Sequence, residues 1–189
     1  LQTSLEGGGE RTHFLLRAGH DRETTVFPGS SGNQRLTALF HFAHLGRDKK
    51  LRISWKSLIG NDQLKLPQFG LLHFAHTLAP NAPSVYTEEG KLNWENDGWD
   101  NPFAELYKEY RSHTNNLINN LVVSYSPASA LEYKTSIGYS IMHLTESAIN
   151  PAISYRPLHQ VASGFSVFNE GRLYSFIAEP QLSYRRTLA

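Results

Sequence analysis

The side chains best suited to binding chemistry lie in one long, irregular stretch of this sequence, residues 60–113. They are aromatic and acidic: Tyr86, Trp94, Trp99, Asp100 and Tyr107. Trp and Tyr rings stack on sugars and on peptides, and binding residues are often carried on loops. We therefore predict that these five residues contact a substrate or a protein partner. The alternative is that they pack the loop onto itself or onto a partner surface.

Two histidine pairs have spacings that bear on metal binding. His41 and His44 are three residues apart in a predicted strand, so they face opposite sides and cannot chelate one ion. His73 and His76 can share one face of a short helix, but the sequence offers them no third ligand. The chain has no cysteine, which excludes thiolate ligands and disulfides. We predict no metal site and no cofactor.

No combination of side chains indicates an enzyme. Residues 30–32 (SSG) are typical of a loop rather than of the strained turn that presents a nucleophilic serine. Glu88 and Glu89 lie in a predicted solvated turn, which does not suit a catalytic carboxylate pair. The formal net charge of the 189-residue chain is +1, so composition gives no reason to expect nucleic-acid binding.

Seven segments show the alternating pattern of β-strands, and these strands must position the candidate residues. They cover residues 11–21, 34–45, 51–59, 114–126, 131–144, 161–168 and 173–186. One side of each predicted strand carries aliphatic and aromatic residues, including four tyrosines suited to membrane interfaces: Tyr125, Tyr133, Tyr139 and Tyr184. The other sides carry the charged residues Arg17, Arg35, Arg52, Lys56, Glu132, Lys134, Glu179 and Arg185. Most of the segments reach the roughly 9–11 residues that a tilted membrane strand needs, whereas soluble strands average about 5–6.

The connections between the predicted strands alternate between long and short. Long loops cover residues 22–33, 60–113 and 145–159, and short turns cover residues 46–50, 127–130 and 169–172. Two short helices are expected in the longest loop, near residues 69–78 and 102–111, where Asn101 can cap the second helix and Pro102 suits its first turn. A sheet with such unlike ends is typical of outer-membrane barrels, which have long outside loops and short periplasmic turns.

The predicted fold is therefore all-β: an antiparallel up-and-down meander of about seven long strands, part of a transmembrane β-barrel. It has long extracellular loops, with short helices in one loop. The first predicted strand then runs outward. The alternative from the pattern alone is a soluble antiparallel sandwich whose polar face meets water.

Several ordered phrases, spread over most of the chain, resemble the SusC/RagA-type TonB-linked outer-membrane transporters. They are residues 20–29 (HDRETTVFPG), 78–86 (LAPNAPSVY), 90–94 (GKLNW), 101–104 (NPFA), 114–121 (TNNLINNL), 131–139 (LEYKTSIGY) and 179–184 (EPQLSY). The resemblance covers the outside loops as well as the predicted strands, which is more specific than one short motif.

The resemblance implies import of glycan or peptide fragments across the outer membrane of a Gram-negative bacterium, driven through the TonB complex. It also implies a SusD-like surface lipoprotein that closes over the barrel, and contact with outer-membrane lipid. A complete member has a TonB-interacting segment, a plug and a barrel of roughly 22 strands. We expect residues 1–189 to be a single partial barrel segment without the plug and the TonB-interacting segment.

Two other functions remain open at this point. One is a soluble β-sandwich module that binds carbohydrate or peptide through Trp94 and Trp99. The other is a structural or adhesive barrel that transports nothing.

Overall fold

The seven strands that the structure describes form one antiparallel sheet, in which each strand pairs with its neighbours in the chain. The computed structural model describes residues 1–29, 31–159 and 164–186. The strands are β1 Gln2–Gly8, β2 Thr12–Thr24, β3 Gly32–Leu45, β4 Leu51–Pro67, β5 Glu109–Ala128, β6 Leu131–Asn150 and β7 Phe165–Tyr184. The predicted all-β, antiparallel up-and-down meander is confirmed.

The register of the strand pairs brings the apolar side chains of β2 to β7 to the same side of the sheet. Residues directly opposite each other in an antiparallel pair point to the same face. One such row contains Phe14, Phe42, Trp55, Leu121 and Ile137. We call this side the apolar face; its other large members include Leu16, Phe40, Ile59, Leu117, Tyr139, Ile141, Tyr174 and Phe176.

The opposite side, which we call the polar face, carries the charged residues that the alternating sequence pattern predicts for it. They are Arg17, Arg35, Arg52, Lys56, Glu132, Lys134 and Glu179. Arg185 follows the end of β7, where its backbone N–H donates to the carbonyl oxygen of Ala130. The two-residue period of these strands therefore predicted both faces correctly.

No layer of the described structure covers the apolar face. Leu16 is 46% exposed, and Phe176 is 68% exposed. The buried hydrophobic side chains of the described residues are Leu92 and Ala104, and both lie in the connection between β4 and β5. The sheet is therefore a single layer without a hydrophobic core of its own.

Two predictions about the ends of the sheet are wrong. β1 was not predicted, because residues 2–8 carry two glycines and little alternation; it forms because its backbone pairs with β2. The predicted turn at residues 169–172 lies inside β7, where Glu146 pairs with Asn169 and His143 with Arg172. The predicted sixth and seventh strands are thus one strand from Phe165 on, and residues 161–163 lie outside the described residues.

The strands extend farther into the predicted loops than the alternation of apolar residues indicates. The connection from β4 to β5 covers only residues 68–108, because polar side chains pair across the strand ends. Asp62 accepts from Arg35 at 2.6 Å. The Asn61 amide donates to Asn115 at 2.7 Å, and Lys65 lies 2.8 Å from Glu109.

The connections after β2, β4 and β6 lie at one end of the sheet, which we call the loop end. Those after β1, β3 and β5 lie at the other, the turn end, and consist of residues 9–11, 46–50 and 129–130. The helices of the described residues, all at the loop end, are α1 Leu72–Thr77 and the 3-10 helices Pro102–Tyr107, Ala152–Ser154 and Pro157–His159. None of the described helices has the length and apolar character needed to cross a membrane.

Both predicted helices exist but are shorter than expected. The first is α1, which consists of only the six residues Leu72–Thr77. The second is a 3-10 helix that ends at Tyr107, because residues 109–111 already pair with β4 as part of β5. Its predicted start is confirmed, since the Asn101 side chain accepts from the backbone N–H of Phe103 and Pro102 occupies the first turn.

Replacing Gly8 with alanine is expected to detach β1 from the sheet. Gly8 has a φ of +151°, and a Cβ there would lie 2.1 Å from the carbonyl oxygen of Thr12. Strain at such a position costs about 1–3 kcal/mol. Hydrogen exchange should show faster exchange of the β1 amides in Gly8→Ala. Gly9→Ala is the matched control, because nothing lies within 4 Å of its added Cβ; equal exchange in both variants would contradict the prediction.

Candidate functional site

Two connections at the loop end, residues 68–108 and the segment that follows β6, are joined by Arg156. Its guanidinium donates to Asp100 through Nε at 2.6 Å, and Nη2 lies 2.5 Å from the other carboxylate oxygen. Nη1 also donates to the carbonyl oxygen of Asp97 at 2.9 Å. The hydrogen bond with Asp100 raises the pKa of Arg156 above its ordinary value. This two-point geometry fixes the orientation of both groups.

Lys108 makes a second set of contacts between the same two connections. Its Nζ lies 2.7 Å from Glu105. The ammonium also lies 5.7 Å from the ring centroid of Phe69 and 5.1 Å from that of Tyr155. Attraction between a cation and aromatic rings stabilises such an arrangement, and here one ring comes from each connection.

The buried side chain of Asn101 stabilises the longer connection, residues 68–108, through hydrogen bonds to its backbone. Only 3% of its surface is exposed, and its amide donates to the carbonyl oxygens of Val85 at 2.6 Å and Asn93 at 2.9 Å. Its side-chain oxygen accepts from the backbone N–H of Phe103 at 2.9 Å. A buried amide with these three bonds holds three separate parts of the connection together.

A cavity of about 460 Å³ lies where the two connections meet, and we call it the loop cavity. Its lining includes Phe74, Trp94, Asp100, Glu105, Tyr155 and Arg156. Oε2 of Glu105 is buried and has no hydrogen-bond partner among the described residues. Because that oxygen is buried, a ligand cannot reach it; the cavity instead combines aromatic surface with the exposed carboxylate of Asp100, which suits a ligand that has both apolar faces and hydroxyl or amide donors.

The structure brings two of the five predicted binding residues together. Trp94 and Asp100 line the loop cavity, although Asp100 is engaged by Arg156. Trp99 is half-buried and is not part of the lining. Tyr86 is exposed and packs edge-to-face on Phe103, and Tyr107 is exposed at the end of its 3-10 helix.

Most of the cavity residues escaped the sequence analysis, among them Phe74, Glu105, Lys108, Tyr155 and Arg156. Arg156 lies 56 residues from Asp100, so no local spacing links them. The capping signal at Asn101 was the closest clue, because it marks where the longer connection turns beside the cavity.

The histidine and carboxylate pairs do not form a chemical site in the described residues. His44 lies on the apolar face and bonds Thr12 at 2.8 Å, whereas His41 lies on the polar face, as predicted from their spacing. No group of three or more His, Asp or Glu in the described part of the chain could hold a metal ion. Glu89 pairs with Lys91 in a solvated turn. Ser30 lies outside the described residues.

No protein-family model matches this chain, and no curated protein matches its sequence.

Replacing Asn101 with alanine should loosen the longer connection while leaving the sheet intact. The change leaves two carbonyl groups and one N–H without their bonds, and an unsatisfied buried polar group costs about 1–3 kcal/mol. Limited proteolysis should cut residues 68–108 several times faster in Asn101→Ala. The control is Asn81→Ala, because Asn81 is exposed in the same connection. Unchanged cleavage in Asn101→Ala would show that the amide does not fasten this segment.

Proposed function

We propose that this chain forms part of the wall and mouth of a TonB-linked outer-membrane transporter that imports glycan or peptide fragments. One observation carries the proposal: a single-layer sheet of long strands whose register gathers the apolar side chains on one uncovered face. In water such a face is unfavourable, at about 25 cal/mol for each Å² left exposed. Lipid covers such a face in membrane barrels, while the other face meets a wet interior.

The height of the apolar face fits a membrane. On β6 the face extends from Leu131 to Ile141. At roughly 3.3 Å per residue this distance is about 33 Å along the strand, and a tilt of about 40° reduces it to about 25 Å. The apolar band of outer-membrane barrels is also about 25 Å tall.

Tyrosines border the apolar face at the turn end, which supports a membrane interface there. Tyr125 lies opposite Tyr133, and Tyr184 lies in the neighbouring row opposite Leu131. Tyr174 lies in the last largely apolar row toward the loop end. Tyr139 lies one row inside that of Tyr174, the position that mirrors Tyr133 at the turn end, so its place also suits an interface girdle.

The proposed orientation puts the loop end outside the cell, where the loop cavity can meet substrate. Trp94 and Tyr155 offer aromatic surface for sugar rings or peptide side chains, and the exposed carboxylate of Asp100 offers an acceptor to their hydroxyl or amide groups. The exposed rings of Tyr86 and Tyr107 are available to the SusD-like lipoprotein. Energy transfer from TonB requires a plug, which the resemblance places elsewhere in such proteins.

The sandwich alternative has less support. A sandwich packs two sheets face to face about 10 Å apart, whereas the seven described strands form one sheet. A cavity lined by aromatic and polar groups favours ligand uptake over a purely adhesive role.

A charge on the apolar face should block membrane assembly, while the same charge one residue away should not. Ile137 lies in the middle of the apolar face, and the neighbouring Ser136 lies on the polar face. Ile137→Arg is expected to cost about 2–4 kcal/mol near the bilayer midplane. Folding into lipid vesicles, measured by protease protection of the strands, should fall for Ile137→Arg and persist for Ser136→Arg. Lys134→Arg should leave folding into the vesicles nearly unchanged, because it keeps a positive charge on the polar face.

The proposal fails if the chain is a well-folded, cooperatively melting monomer without detergent. Equal tolerance of Ile137→Arg and Ser136→Arg would also contradict it.

Removing the aromatic surface of the loop cavity should weaken substrate binding. Trp94→Ala takes away a ring that lines the cavity, and stacking on an aromatic ring contributes about 0.5–1.5 kcal/mol. We therefore expect a roughly two- to tenfold loss of affinity. The measurement is binding of an oligosaccharide mixture and a tripeptide mixture to detergent-folded protein. Trp99→Ala is the control, because Trp99 is half-buried and lies outside the cavity lining. An equal loss of affinity in both variants would show that the loop cavity is not the substrate-binding site.

A further inference from the structure

Basic side chains are concentrated at the turn end of the sheet. Residues 9–11, 45–52, 124–134 and 181–186 contain eight of the 18 lysines and arginines of the chain, but only three of its 17 aspartates and glutamates. The three carboxylates are those of Glu10, Asp48 and Glu132. A chain whose net charge is only +1 therefore carries a clear local excess of positive charge at this end.

The cations at the turn end are not neutralised within the described part of the chain. The ion pairs there involve other lysines and arginines. Three of the cations, Arg47, Lys49 and Lys50, lie in the connection between β3 and β4, and we call these three residues the basic turn. The carboxylate of Asp48 accepts from the backbone N–H of Lys50 at 3.1 Å, so it helps to close the turn.

The geometry of the turn does not explain its basic side chains. Lys49 has a φ of 58°, in the left-handed region that favours Gly or Asn over lysine. Its backbone N–H donates to the carbonyl oxygen of Gly46 at 2.9 Å, which does not require a lysine side chain. The side chains of the basic turn are exposed. They can therefore serve a partner outside the turn.

The basic turn follows the apolar face with no polar row between them. Leu51, the neighbour of Lys50, lies opposite Tyr125, which in turn lies opposite Tyr133. This row belongs to the apolar face, and its two tyrosines suit a membrane interface. Lys49 is two residues from Leu51, at most about 7 Å along the chain. The headgroup layer of a bilayer is about 5–7 Å thick on each side, so the basic turn lies at its level in the proposed setting.

We propose that the basic turn binds the phosphate-bearing headgroups of anionic phospholipids in the periplasmic leaflet. The inference rests on the proposed function, which places the turn end at that leaflet. Arg47, Lys49 and Lys50 have long stems that carry their charged ends to phosphate oxygens. The acyl chains of the same lipids cover the apolar face beside Leu51. A soluble anion would make no use of this adjoining apolar surface, so the occupant is a membrane lipid.

Trp55 offers a direct measurement of the lipids beside the basic turn. It lies on the apolar face, is 41% exposed, and is four residues from Leu51, about 13 Å along the strand. Replacing Trp94 and Trp99 with Phe leaves it as the only tryptophan of the chain. The full chain is then folded into vesicles of phosphatidylcholine and phosphatidylglycerol, in which one of the two lipids carries brominated acyl chains. Bromine quenches tryptophan fluorescence at short range, so the two labelling schemes together give the relative affinity of the lipids.

We expect phosphatidylglycerol to be preferred about fivefold or more beside Trp55, because each basic side chain near an anionic surface contributes about a fivefold preference. The double variant Arg47→Gln and Lys49→Gln should lower this preference at least about fivefold. The matched control is Arg17→Gln with Lys56→Gln, which also removes two exposed cations, but from the polar face, and should keep the preference. Sodium chloride at about 1 M should weaken it, because the screening length falls to about 3 Å.

Three results overturn the inference alone. Equal affinity for the two lipids would mean that water solvates the basic turn, and equal effects of the two double variants would mean that the turn has no special place. Loss of the preference in inorganic phosphate, but not in sodium chloride of the same ionic strength, would mean that the turn takes a soluble anion.

Absence of quenching by either brominated lipid is a different result, because it contradicts the proposed membrane setting and the inference together. Circular dichroism of each variant checks that its strand content is unchanged.

Discussion

The structure depends on one constraint, the in-register antiparallel pairing of consecutive strands. Because side chains alternate between faces, a slip of one residue in any pair would send that strand's apolar side chains to the polar face. The observed register avoids this from β2 to β7, and the Phe14 to Ile137 row is its clearest result. Everything else that we infer about the sheet follows from having two faces of opposite character.

The second consequence of that pairing is a sheet whose stabilisation must come partly from its surroundings. Burying a side chain such as Leu16 or Phe176 is worth about 1.5–3 kcal/mol, and in the single layer neither is buried. The proposed lipid and the neighbouring barrel strands would supply that burial. The charged polar face then needs water beside it, which the interior of a transporter barrel provides.

The loop end is organised by polar bonds rather than by apolar packing. Asn101 holds the longer connection together, and Arg156 and Lys108 join it to the connection that follows β6. The sequence identified Trp94 and Asp100 as binding candidates because aromatic and acidic residues in a loop indicate a binding role without any knowledge of their neighbours in space. It could not find Tyr155 or Arg156, because these residues join the cavity only when two distant segments meet.

The sequence by itself determined the two-residue period of the strands, the apolar and polar character of the two faces of the sheet, and the cap at Asn101. Each of these features is encoded within a few neighbouring residues. The tertiary structure decided where the strands end. Residues 60–67 have no clear alternation, yet they extend β4 because Arg35 and Asn115 offer partners across the sheet to Asp62 and Asn61. In the same way, the turn signal at residues 169–172 gives way to the ladder with β6, because continuous backbone pairing outweighs a local preference for a turn.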